Sequence, residues 1–443
     1  MKLIVACLVF VNLLIADIGI DEAWARVVKL NDGLHASSSD IRRAQVKQDS
    51  AESMYLPSVS VSGSYTHLDK PIGVDLDLPI PLPGIGSTLP IDLSQQDVFL
   101  ADLQVLYPLY TGGKIDAAQD AYKAKVSEAK ALHKMKEDEA FLNLIKLYYG
   151  VVVSESLYQT RQEAEAALRL HFKHAQKLQE QGQIAKVELL NAQVKLDRAR
   201  IDAMKAKHRL EIVSSALDKM LKQKDSPSST FFIVETISEQ EYYINESTQN
   251  YAALGVLDAK GNQANALVNV EKAAWYPQVM AYGNVNLYKD DSVLMQSLPN
   301  WMAGVAVKFE LFGRSDRNNE IQAAEILHSK VRYLKAEAQE NLALAVEKTY
   351  KEMLLYKEEF DSLTSSIALS QENYRLRSIA FSEGLSTSVE LVDAQMFLSG
   401  VKTKRFNSAY NYIKKLARLC VLSGDRDLFF KLKDISRGIE NEQ

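Results

Sequence analysis

Gly384-Leu-Ser-Thr-Ser-Val-Glu-Leu-Val-Asp-Ala-Gln395 decides how the chain is read, because it occurs twice. Its partner is Gly182-Gln-Ile-Ala-Lys-Val-Glu-Leu-Leu-Asn-Ala-Gln193, and every matching position lies 202 residues away (182 to 384). Gly182/Gly384, Val187/Val389, Glu188/Glu390, Leu189/Leu391, Ala192/Ala394 and Gln193/Gln395 coincide, followed by Leu196/Leu398. Each copy ends one long proline-free run and begins another, so each predicts the bend of a large helical hairpin. A duplicated unit builds one composite architecture, which overrides the prior of about three domains that the length alone suggests.

Outward from the bends, Lys114 to Lys222 holds no proline and only two glycines, Gly150 and Gly182, among abundant helix formers. The arm from Lys114 to Gln181 would be on the order of 100 Å long as a helix, more than a globular core needs. Tyr107-Pro-Leu-Tyr110-Thr is matched by Phe309-Glu-Leu-Phe312-Gly313 at the same offset, so 75 residues separate Tyr107 from Gly182 and Phe309 from Gly384. A preserved arm length means a preserved physical length. Two shorter helices stacked end to end would cover one long arm and bury its apolar face.

Ahead of each arm the pattern changes. A helical run from Asp21 to about Ser53 is stopped by Tyr55-Leu56-Pro57, and one from Tyr242 to about Ala274 by Trp275-Tyr276-Pro277. Alternation follows both times: Val59, Val61, Gly63 and Tyr65 against serines, and Val279, Ala281, Gly283, Val285 and Leu287 against Gln278, Asn284 and Asn286. Two further alternating runs, Phe99 to Leu109 and Trp301 to Leu311, lead to the turns at Gly112, Gly113 and Gly313. Residues 67 to 96 carry five of the ten prolines and predict a long loop. The four strands share one apolar and one polar face, with aromatic residues near their ends. That is the pattern of a membrane barrel, though a soluble sandwich alternates likewise. Four strands do not close a barrel of useful size, so several copies would have to complete it.

The opening Met1-Lys2 and the run from Leu3 to Ile15, apolar except for Asn12, fit an export signal over residues 1–16; a buried N-terminal helix is the alternative. Without that leader Cys420 is the only cysteine, which precludes an intrachain disulfide. No later run reaches the roughly 18 uninterrupted apolar residues of a membrane helix. A net charge of −5 with no basic cluster argues against a nucleic-acid partner. His171 and His174 stand three apart, but no further ligand accompanies them, and a solvated helix face is expected. Gly112-Gly113-Lys114 lacks the earlier glycine of a phosphate loop. No nucleophile and base pair off, so neither an enzyme, a cofactor nor a metal site is expected.

With the duplicated bends, Tyr107-Pro-Leu-Tyr-Thr-Gly-Gly-Lys114 leading into the long arm, and Pro57 and Pro277 starting strands, the chain resembles the TolC family of outer-membrane efflux channels over nearly its whole length. The resemblance implies a mainly α fold with a membrane β-barrel part: a homotrimer whose 12-stranded barrel takes four strands per protomer and stands on a long α-helical coiled-coil tunnel. It implies residence in the outer membrane, in contact with its lipid and extending into the periplasm, and passive conduction in a tripartite efflux or type I secretion system. The partners would be a periplasmic adaptor protein and an inner-membrane pump of RND, ABC or MFS type. A soluble periplasmic scaffold with a small β-domain is the competing reading. The domain reading is a leader (1–16), a first repeat (17–224), a connector in an equatorial region (225–241), a second repeat (242–424) and a tail, equatorial or disordered (425–443).

In the family the bends form the closed periplasmic mouth of the tunnel, lined by acids that match Glu390 and Asp393; Glu188 and Asn191 hold the same places in the first repeat. Three copies of each acid near one axis would raise one another's pKa values, although an acid after a bend also suits a helix N-terminus. Adaptor contact is expected at Gly182, Gln183, Ile184, Ala185, Lys186 and Val187 and at Gly384, Leu385, Ser386, Thr387, Ser388 and Val389. The family's gate latch, a tyrosine three residues before the second glycine and an arginine two after it, is replaced here by Phe381 and Ser386, which cannot make the same bonds.

Overall fold

The computed structural model describes residues 17–82, 86–228, 230–311 and 316–438. The expected leader, Gly313 and residues 439–443 of the tail lie outside them. The first half runs β1 (Asp17–Ile18), α1 (Ile20–Leu30), α2 (Asp32–Glu52), β2 (Ser58–His67), β3 (Gly73–Leu82), β4 (Gly86–Asp92), β5 (Asp97–Tyr110), α3 (Lys114–Glu180) and α4 (Lys186–Leu221). Short strands β6 (Ser226–Pro227) and β7 (Phe232–Ile233) follow. The second half runs α5 (Gln240–Asn250), α6 (Ala252–Lys272), β8 (Gln278–Lys289), α7 (Val293–Ser297), β9 (Trp301–Lys308), α8 (Arg317–Ser382), α9 (Ser388–Leu422), α10 (Asp427–Asp434) and β10 (Arg437–Gly438). The duplication is therefore structural, with arms α3 and α8 of 67 and 66 residues.

The chain divides into two compact units, each drawing on both repeats: residues up to Asp40, Ala129–Val256 and Lys335 onward in one, Ile41–Glu128 and Leu257–Leu334 in the other.

In the second unit, β2, β5, β8 and β9 form one antiparallel sheet in that order. Its register aligns the odd-numbered residues: Val61 pairs with Leu103, Leu103 with Val285 and Val285 with Trp301. These residues share one face, as the alternation requires. Each pre-strand helix closes in a short 3-10 turn, after which Leu56 and Tyr276 turn extended and Pro57 and Pro277 immediately precede the strands. Gly112 needs its glycine: φ is +66° and a Cβ would meet the Tyr276 Cβ at 2.7 Å. Gly113 also has a left-handed φ, +85°.

Residues 67–96 correct the expectation of a loop, because β3 and β4 pair as an antiparallel hairpin. Both strands are edges among the described residues, where a proline lacking its N–H breaks no second ladder. The register shifts between Asp77 and Leu82, where Pro79 and Pro81 fall. The last strand ends at Lys308, short of the expected Leu311.

In the first unit, the helices expected as continuous are broken at Asn31 and Tyr251, with ψ of 114° and 124°. The Asn31 side chain accepts the Leu34 N–H at 3.1 Å and starts α2 afresh. Tyr251 carries no such side-chain signal, so the second break was invisible to composition. This unit holds an aromatic core: Phe141 meets Trp24 edge-on at 5.3 Å and Phe429 at 5.5 Å, and Phe232 meets Phe429 at 5.7 Å. The described part of the tail, up to residue 438, packs on this core. Arg426 bonds Glu137 and Asp138 at 3.3 and 3.4 Å and lies 4.9 Å over the Trp24 ring, while β10 pairs with β7. Burial raises the Asp138 carboxyl to about 6 against the pull of Arg426.

Candidate functional site

The two bends lie in the first unit and share one backbone solution. Gly182 and Gly384 both have φ of +73°. Gln183 N–H donates to the Leu178 carbonyl at 2.8 Å and Gly182 N–H to that of Gln179 at 3.0 Å; Leu385 to Ala380 at 2.8 Å and Gly384 to Phe381 at 3.1 Å repeat the pattern. This pair of bonds satisfies the last carbonyls of the incoming helix, and its left-handed residue favours glycine.

The outgoing helices start differently. Thr387 accepts the Glu390 N–H at 3.3 Å, and the Glu390 carboxylate accepts the Thr387 N–H at 3.0 Å, a complete capping box. Ser386 donates its hydroxyl to Glu390 at 2.6 Å, and Arg377 of the incoming helix lies 3.2 Å from the same carboxylate. These bonds, that of Ser386 foremost, hold the Glu390 carboxyl below its usual range. The chain's own contacts thus act opposite to the mutual repulsion expected of three copies. At the first bend Ala185 has no side chain to cap α4, and Glu188 is half-buried with Oε2 unpartnered among the described residues. Asn191 and Asp393 are exposed.

Phe381 and Ser386, which replace the family's latch residues, each have a partner. Ser386 bonds Glu390, and Phe381, buried, meets the His171 ring edge-on at 4.6 Å. His171 is buried too, 4% exposed, which corrects the expectation of a solvated helix face; His174 is exposed as expected. His171 Nε2 lies 2.6 Å from the Ser388 hydroxyl, while Nδ1 has no partner among the described residues. Burial, then His174, pushes the imidazole down to about 4, so it is neutral. Beside this contact Leu168 and Phe172 of α3, Leu196 and Ala199 of α4, and Val392 and Met396 of α9 form one apolar cluster. The two hairpins are therefore joined just inside their bends.

Of the expected surface at the tips, Leu385, Val389 and Val187 are exposed at 82%, 45% and 58%, with Gln183, Ala185, Lys186 and Thr387 also open and Ile184 half-buried. Ser388, expected at the surface with them, is instead buried beneath His171. Three contributors escaped the reading of the residues. His171 continues the buried stripe Ala164, Leu168, Ala175, a helical spacing that was there to be seen. Thr387-Ser-Val-Glu390 spells a capping box, whereas Ala185-Lys-Val-Glu188 does not. Arg377 carries no local signal, since only the hairpin brings it to Glu390. Among the described residues no group of three metal-ligating side chains forms.

Each half of the chain thus carries a strand pair followed by a long helical hairpin. The sequence profile of the outer membrane efflux protein family matches residues 27–222 and again 243–425, one match per repeat, and the chain belongs to that family, whose members are channels rather than enzymes. Comparison with curated protein sequences returns no match. Among solved structures, the fold is similar to the outer membrane protein VceC from Vibrio cholerae (TM-score 0.74, 13% identity, covering 92% of this chain and 96% of that one). It is also similar to the CmeC outer membrane channel of Campylobacter jejuni (0.73, 15%, 95% and 90%) and to the open MtrE outer membrane channel of Neisseria gonorrhoeae (0.73, 14%, 92% and 89%). At these identities the likeness establishes the fold. No helix among the described residues is long and apolar enough to cross a membrane.

Proposed function

We propose that the chain is the outer-membrane exit duct of a tripartite efflux or type I secretion system: a homotrimer whose strands close a 12-stranded barrel and whose hairpins form a periplasmic tunnel. The observation that carries this reading is the state of the sheet. Its edges β2 and β9 are unpaired among the described residues, and its apolar face stands open, with Val61 67%, Val305 61% and Val307 66% exposed. An apolar face suits lipid, and lipid tolerates no open edge, so closure by further copies satisfies both demands. The hairpins carry a matching need. Val187, Leu190, Val194 and Ile201 of α4 are exposed at heptad-like spacing, as are Leu355, Leu369 and Leu376 of α8. Neighbouring copies would cover such seams as coiled coils do.

Substrates enter from a pump, of RND, ABC or MFS type, through an adaptor that contacts the bends at Leu385, Val389 and Val187. Glu390 and Asp393, with Glu188 and Asn191, line the mouth. The expected outcome is heat-modifiable trimers in the outer-membrane fraction and single-channel conductance in planar bilayers; a soluble, monomeric mature chain would overturn the reading. Asp393→Ala, alone and with Glu390→Ala, is expected to weaken block by divalent cations added on the periplasmic side. Unchanged block in both would remove these side chains from the constriction.

A further inference from the structure

In the second unit the order of the strands carries over to the helices, because β5 leads into α3, α6 leads into β8 and β9 leads toward α8. The middle helix, α6, therefore has its own chain on both flanks: the Gln263 amide donates to Glu128 of α3 at 2.8 Å, and Lys272 lies 3.3 Å from Glu325 of α8. Along α6 the three helices enclose a groove of about 560 Å³. Ala118 and Ala121 of α3 and Ala264 of α6 line it, small residues that leave the space open, together with Leu267 of α6 and Leu327 and Val331 of α8. Its volume falls within the roughly 300–1,000 Å³ of small-molecule sites, which are likewise mostly apolar with a few polar groups.

Charge is confined to one end. Leu267 and Val270 stand toward β8, whereas Lys260 of α6 and Lys125 of α3 stand at the end remote from the strands, with Tyr122 and Gln263. Among the described residues that line the groove, the two lysines alone are charged. Lys260 has the Glu128 carboxylate at 4.0 Å. Lys125 forms no ion pair among the described residues, and its ammonium lies over the Tyr122 ring, 5.2 Å from the centre. Two ammoniums against one carboxylate leave that end with a net positive charge. Neighbouring acids are answered elsewhere, Asp120 by Lys123 at 3.2 Å and Glu325 by Lys272.

We propose that this groove binds a free, single-chain anionic amphiphile, its chain along Ala118, Ala121, Ala264 and Leu267 and its head group at Lys125. Apolar lining and a one-sided positive charge together match that class, and neither a cation nor an uncharged chain satisfies both. The groove is built by one chain, so binding does not depend on the duct reading. That reading adds where the ligand comes from: it gives the strands to the bilayer, and the groove lies wholly on helices beyond them, so a membrane lipid would have to leave the bilayer to fill it. Closure of the barrel by further copies at β2 and β9 leaves α6, flanked by its own α3 and α8, uncovered.

The test is photolabelling of the purified full chain in nanodiscs with laurate that carries a diazirine at its chain end, followed by peptide mapping. Saturable labelling is expected in the peptides that contain Ala118, Leu267 and Val270, at the end of the groove opposite Lys125. Unlabelled laurate should displace the probe, and dodecyltrimethylammonium should not. Affinity is expected to fall by about five-fold or more in Lys125→Glu and to be kept in Lys125→Arg, with circular dichroism verifying that each variant is folded. In Ala121→Phe, which fills the groove, labelling should be lost. Labelling equal to the parent's in Lys125→Glu and Ala121→Phe, equal displacement by the cationic surfactant, or no saturable labelling at the groove would overturn the inference. Displacement by phosphatidylglycerol in the disc, with none by laurate, would assign the groove to a membrane lipid and overturn it likewise. Labelling as expected in a chain that conducts no ions would overturn the duct reading alone.

Discussion

At Gly182 and at Gly384 the chain turns with the same φ of +73° and the same two carbonyl-satisfying bonds, yet the surroundings of the two glycines have little in common. Beyond Gly384 a capping box, a serine and an arginine converge on Glu390; beyond Gly182 the helix starts uncapped at Ala185 and Glu188 has a buried oxygen with no partner among the described residues. The join between the hairpins is equally one-sided. Phe381 of the second repeat rests on His171 of the first, whereas their counterparts 202 residues away are Gln179 and Asn373. A duplicated glycine preserves backbone geometry because few other residues tolerate it. The side chains around it answer to different neighbours, so one copy has become the better-fastened bend.

Substitutions can break or sharpen that contrast. The largest effect is expected from Phe381→Ala, which empties a buried aromatic site at a cost of about 3 kcal/mol or more, while Gln179→Ala at the matching place should change stability by less than about 0.5 kcal/mol. Hydrogen exchange over residues 376–392 and 176–190 measures both, and equal effects would erase the asymmetry.

Acid should act next. The His171 imidazole is pushed down to about 4 by burial and by His174, against about 6.5 in the unfolded chain. A depressed folded value contributes stability that is full above pH 6.5 and lost as pH falls toward 4, a span of about 3 kcal/mol at most. Protection factors at the bends are therefore expected to drop between pH 6.5 and 4 in the parent and to flatten in His171→Gln; an identical slope in both would acquit the histidine.

The smallest effects concern the caps. Thr387→Ala should cost about 1 kcal/mol at the second bend. Ala185→Thr should add up to about 1 kcal/mol at the first by completing a Thr-x-x-Glu box with Glu188. The two substitutions together should bring the helix starts closer to parity, read by the same exchange experiment.

The duplication, the long arms and the four alternating strands were open to reading because each depends on local spacing. Proline and glycine punctuate the backbone, and periods of about 3.6 and 2 residues separate helix from strand. The hairpin inside residues 67–96 was obscured for a related reason: prolines argue against a strand only where the missing N–H would face a partner, and here neither strand has a second neighbour among the described residues. The break at Tyr251 left no mark, since no proline, glycine or capping side chain attends it.

By itself, then, the sequence determined that the chain turns at Gly182 and Gly384, how far those turns lie from the strands, and which face of each strand is apolar. Only the tertiary structure decided that Arg377 reaches Glu390, that His171 is buried against Phe381 and Ser388, and that Asp102 is held between Ser62 and Asn284. Those meetings join residues on different elements, up to 217 positions apart for His171 and Ser388. Short-range periodicity carries no information about them; they exist once hairpins and strands have packed and each buried polar group has been obliged to find a partner.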